Sequence, residues 1–219
     1  EMNSFKSQQF RWAKGSAQTT KKLLWTVLRA PIPFKVKVEA LFHLTNNFAY
    51  LFLVILAMLQ VPNMLIRRDM DTPELLLLDV PLFLATTGSI ILFYLVSHHA
   101  LYGNLWDAVK RLPMMMALGI GLSINNARAV IEGLFGNDVE FVRTPKHGIT
   151  NELESSAWKK KSYKASFPIH SLVELGFGLY FATAIGIAMF TDSWMSIPFM
   201  LLFMIGFLYV GFLSLYQRR

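Results

Sequence analysis

The sequence predicts an all-α membrane protein: about four transmembrane helices, with amphipathic helices lying at the cytoplasmic interface. Three observations predict it. Of 219 residues, 54% are hydrophobic and only 16% charged, against about 25% charge in a soluble domain, and mean hydropathy is +0.42. The charge deficit is also concentrated. Residues 40–66, 80–106 and 193–217 contain no Asp, Glu, Lys or Arg, and a fourth stretch, Leu175 to Thr191, is charge-free and extends back past Glu174 to about Phe167. A hydrocarbon core about 30 Å thick takes about 20 apolar helical residues to cross, so four spans follow. The third observation is where the basic residues fall.

Eight of the 21 Lys and Arg lie in residues 1–37. Lys110 and Arg111 follow the second apolar stretch, and Arg143, Lys146, Lys159, Lys160, Lys161 and Lys164 lie in 136–168. Arg218 and Arg219 close the chain. The connector 67–79 balances Arg67 and Arg68 with Asp69, Asp71, Glu74 and Asp79, and Asp192 stands alone in the last connector. Lys and Arg are retained on the cytoplasmic side. Both chain ends and 136–168 are therefore expected in the cytoplasm, in a plasma (inner) membrane.

Taken in order, residues 1–37 predict surface helices: Leu23, Leu24, Val27 and Leu28 form one stripe beside Lys21, Lys22 and Arg29. The run "APIPFKVKVEA" breaks that stripe with two prolines. The remainder, 38–219, reads as a channel module with spans at about 45–66, 80–101, 168–190 and 194–216. Segment 113–135 is expected to lie in the plane of the membrane surface. Its apolar part ends in Asn125 and Asn126, Arg128 and Glu132 have salt-bridge spacing, and a crossing there would place 136–168 outside. A fifth crossing is the competing reading. No cysteine is present, which excludes disulfides and thiolate chemistry. Residues 1–37 lack the apolar core of a secretory signal, and the start at Glu1 reads as a cut from a longer protein.

The densest polar cluster is "FKSQQFRWAKG", Phe5 to Gly15. Gln8, Arg11 and Trp12 stand at i, i+3 and i+4, on one helical face. A guanidinium fork suits phosphate oxygens, an amide suits sugar hydroxyls, and an indole offers a flat face to a pyranose. The same Arg and Trp suit anchoring at the headgroup level.

"QQFRW" resembles the Q-x-x-R-W motif of processive family-2 glycosyltransferases, the cellulose, hyaluronan, chitin and mannan synthases, and "EMNSFKSQQFRWAKGSAQ" is particularly similar to the mannan-synthase-like branch. The resemblance implies that Trp12 stacks on the acceptor sugar at a channel mouth, with Gln8 and Arg11 on the nucleotide-diphosphate side. "FVRTPK", Phe141 to Lys146, resembles the family's F-x-V-T-x-K gating loop, here about 138–150. Phe141, Thr144 and Lys146 match, while Arg143 stands in place of the valine and Pro145 stiffens the loop. The resemblance implies that this loop covers a UDP- or GDP-hexose while a glycan acceptor grows. It also implies that a Rossmann-like (GT-A) catalytic domain, carrying the general base and the Mg or Mn site, lies upstream. This chain holds no D-x-D and no Gly-rich phosphate loop. It is therefore expected to bind no metal, to contain no catalytic residue and to be inactive alone. Nucleotide sugar, glycan and membrane lipid are the expected partners, and nucleic acid is not.

Glu174 at membrane depth reads either as a channel-lining group or as an i,i+4 partner of His170. His43, Asn46, Asn47 and Tyr50 read as polar glue between helices. Two rival functions remain: a small transporter or channel subunit without enzymatic activity, and a scaffold whose basic face binds anionic lipid.

Overall fold

A computed structural model describes residues 1–68, 75–136 and 169–217. All regular structure in these residues is helical. Helix α1 spans Met2–Arg29, α2 Phe34–Thr45, α3 Ala49–Arg68, α4 Leu75–Tyr102, α5 Leu105–Gly121, α6 Ser123–Phe135, α7 Ile169–Phe190 and α8 Ile197–Tyr216; short 3₁₀ turns stand at Asn46–Phe48 and Trp194–Ser196.

Local chemistry sets the boundaries. Ala30, immediately before Pro31, is extended at φ −65°, ψ 149°, which ends α1. Gly103 takes φ 69°, where a side chain would be strained. The Asn104 side chain then accepts from the backbone N–H groups of Trp106 and Asp107, at 3.0 and 3.4 Å, and starts α5 as an N-cap.

Among the described residues, four helical stretches are long and apolar enough to cross a membrane: Phe34–Arg67, Val80–Tyr102, Ile169–Phe190 and Trp194–Tyr216. The first starts well before residue 45, because the 3₁₀ turn at Asn46–Phe48 joins α2 to α3. Segment 113–135, expected as one helix at the surface, belongs to two helices that meet at Leu122 with a 42° bend. Together they too pass the length and hydropathy test, as a bent fifth span or a re-entrant pair.

The end of α5 is not at the periphery. Its Gly121 meets the backbone of Gly206 in α8, and Gly206 in turn meets Ala117, so closely that neither glycine leaves room for a Cβ. Small residues are what let two apolar helices approach without a hydrophobic drive between them. Ile120 joins Ala57, Val61 and Met64 of α3 and Phe181, Phe203 and Phe207 of α7 and α8 in one core. The rings of Phe181 and Phe207 stack with centroids 6.1 Å apart.

One end of the bundle is capped by α1. Met2 N–H donates to Gln217 Oε1 at 2.6 Å and the Asn3 amide to the Ser214 carbonyl at 2.9 Å. The first and last described turns therefore lie side by side. Helix α6 runs along α1, with Gly133 so tight against it that a Cβ there would lie 2.7 Å from Ala17 Cβ. The Thr20 hydroxyl donates to the Leu44 carbonyl at 2.5 Å and ties α2 to the same end.

Candidate functional site

Helix α1 has two faces with different duties. Its buried residues are Met2, Lys6, Ala13, Ala17 and Thr20. At 100° per residue these cluster on one side. That side meets α6, α8 and the start of α7. Gln8, Arg11 and Trp12 fall roughly opposite, so the helix is docked by one face and presents Q-x-x-R-W on the other. Trp12 is 61% exposed, while Gln8 and Arg11 are half-buried. Arg11 Nη1 donates to Ser7 Oγ, one turn back, at 3.1 Å. One helical face thus offers an oriented cation, an amide and an open indole ring.

Fixing that face is the buried side of the same helix. Lys6 Nζ lies 2.6 Å from Glu174 Oε1, with the carboxylate fully buried. The same ammonium donates to Ser214 Oγ at 3.3 Å, and that hydroxyl donates on to the Val210 carbonyl at 2.7 Å. Asn125 of α6 donates to the Lys6 carbonyl at 3.0 Å. Beyond the ion pair, neither Glu174 oxygen is hydrogen-bonded among the described residues. The buried Ser123 and Ser171 hydroxyls and the Asn126 amide nitrogen also have no partner there. A charge pair of this kind spans α1 and α7 and is bracketed by α6 and α8.

Glu174 therefore partners Lys6, and the i,i+4 pairing with His170 is replaced. His170 instead lies against Arg128, which bonds Glu132 at 2.7 Å as the sequence spacing predicts. Lys14 reaches Glu132 at 3.6 Å and adds a second charged tie between α1 and α6. Lys6 was missed by sequence reasoning. A lysine in a helix rich in polar residues reads as solvated, and only its register with Ala13 and Ala17 marks it as inward.

Phe141, Thr144 and Lys146 lie outside the described residues. The described chain before them ends against α1, where Lys21 Nζ donates to the Leu134 carbonyl at 2.7 Å, and the described chain after them starts at α7, with His170 beside Arg128 of α6. The structure thus brings Gln8, Arg11 and Trp12 onto one face. Neither of two interhelical cavities is lined by them. Among the described residues no three His, Asp or Glu side chains gather as a metal site.

Fold and site together define a class: in the described residues, a helical bundle with four stretches long and apolar enough to cross a membrane, one end of which α1 caps, held there by a buried ion pair. The chain matches no protein-family model, no curated protein and no solved structure.

Proposed function

We propose that this chain is the acceptor-binding and translocation part of a membrane glycosyltransferase of the processive family-2 type. The parent enzyme transfers hexose from a nucleotide sugar to a growing β-glycan. One observation carries the reading: Q-x-x-R-W lies on the outward face of a helix whose inward face is bolted to the membrane bundle. A site for a soluble sugar nucleotide at the edge of a membrane needs that division of labour. On this reading Arg11 meets the diphosphate with its planar fork, Gln8 bonds a sugar or ribose hydroxyl, and Trp12 carries the acceptor ring. Holding acceptor beside donor makes the transfer effectively intramolecular. Thr144 and Lys146, with Phe141, cover the donor from the segment between α6 and α7. A divalent Mg or Mn ion, held by a catalytic domain outside this chain, neutralises the leaving diphosphate.

The test is polymer synthesis from UDP-glucose and from GDP-mannose in membranes containing the full-length protein. Trp12→Ala is expected to lower synthesis at least about a hundredfold, the scale of a misplaced acceptor, with membrane insertion unchanged. Full synthesis by that variant, or no hexose transfer from either donor by the unaltered protein, overturns the reading.

A further inference from the structure

A cavity of about 600 Å³ lies between α3, α4, α5 and α8. Its wall is mostly hydrocarbon, with Met116 of α5 and Phe203 of α8 among the lining side chains, and Thr87 and Tyr94 of α4 opposite. On its outer side α4 turns Leu92, Phe93 and Val96 outward, where a bilayer would lie against a helix of this hydropathy. In the middle of α3, Gln60 also lines the cavity, and its Oε1 is buried and accepts no hydrogen bond among the described residues. Two of the nearby polar groups are engaged: Asn63 Oδ1 accepts from Arg67 Nε at 3.1 Å, and the Thr86 hydroxyl donates to the Leu82 carbonyl at 2.8 Å. A buried amide oxygen left unpaired is costly, and most so in hydrocarbon.

We infer that this cavity binds a long-chain alcohol drawn from the bilayer, its hydroxyl on the Gln60 amide and its hydrocarbon along α4 and α5. At about 30 Å³ for each small group, the volume takes roughly twenty carbon-sized units. A single hydroxyl suffices, and it can serve either end of the amide because it both donates and accepts. A sugar chain would leave most of its hydroxyls facing Leu, Ile, Met and Phe, which disfavours it. The second cavity, about 430 Å³ beside Met58, Gly176 and Tyr180, shows the contrast. Its polar group is satisfied, since the Tyr180 hydroxyl donates to the Met58 carbonyl at 3.0 Å. The inference does not depend on the glycosyl-transfer reading.

Two glycines make the test clean. A Cβ on Gly119, in the wall of the first cavity, meets nothing within 4 Å, and the same holds for Gly176 in the second. In native membranes, a diazirine-bearing long-chain alcohol and the matching alkane are photolysed and the labelled peptides mapped. The alcohol is expected to label the α3 and α5 peptides about fivefold more than the alkane, the scale of one hydrogen bond. Gln60→Leu should bring the alcohol down to the alkane level. Gly119→Phe should abolish this labelling by filling the space, whereas Gly176→Phe should leave it intact. If Gly119→Phe fails to accumulate, Gln60→Leu carries the test alone. Equal labelling by alcohol and alkane, labelling indifferent to both variants, or protection by a water-soluble oligosaccharide overturns the inference.

Discussion

At the scale of the residue, Lys6 and Glu174 set the energetic stakes. Removing one partner of a buried ion pair strands the other charge and costs about 3–5 kcal/mol, whereas replacing both with apolar groups is often neutral. Lys6→Met and Glu174→Gln are each expected to lower the melting temperature of the purified protein sharply, and Lys6→Met with Glu174→Leu to recover most of the loss. Additive losses in the double variant would show that the two side chains do not act as a pair. On the opposite face, Arg11→Lys is expected to raise the KM for the nucleotide sugar about tenfold, because a point charge cannot replace a planar fork. An unchanged KM would remove Arg11 from donor binding. The Q-x-x-R-W face was legible in the sequence because i, i+3 and i+4 spacing is a local property. The partner of Lys6 was not legible, because it lies in a helix formed much later in the chain.

At the scale of the element, glycine separates contact from open space. Gly206→Leu forces bulk into the α5–α8 crossing, where Gly121 and Ala117 already touch its backbone; the cost expected from overpacking is about 1–3 kcal/mol or more. Gly119→Ala, on the opposite side of α5 from Ala117 and Gly121 and facing open space, should instead stabilise α5 by up to about 1 kcal/mol through helix propensity. Melting of the two variants checks both, and equal effects would contradict the α5–α8 packing. Hydropathy found the apolar helices because their lengths are dictated by the bilayer. It read 113–135 as surface because Asn125, Asn126, Arg128 and Glu132 are polar. Those residues do lie beside α1, but the glycine-mediated insertion of α5 is a long-range contact that periodicity does not carry.

At the scale of the whole molecule, the pairing of Met2 with Gln217 puts both ends of the described chain at one end of the bundle. The turn between α7 and α8 stands at the other, with Met195 86% exposed. The chain has no cysteine, so single cysteines can be introduced without a background. Asn3→Cys and Gln217→Cys are expected to react with an impermeant maleimide from the same side, and Met195→Cys from the opposite side. Labelling of residues 3 and 217 from different sides would break the architecture. An even number of crossings, argued from charge, calls for both ends on one side, and the labelling tests that side. The arrangement of α5 among its neighbours leaves no trace in charge.

The bridge between α1 and α7 has a consequence for biogenesis. Lys6 is synthesised 168 residues ahead of Glu174 (174 − 6), so the cation has already left the ribosome when the acid emerges. A carboxylate entering lipid without a counter-ion is expensive. The α7–α8 hairpin is therefore expected to settle fully only once α1 has docked against it, which would make that docking a checkpoint for completing assembly.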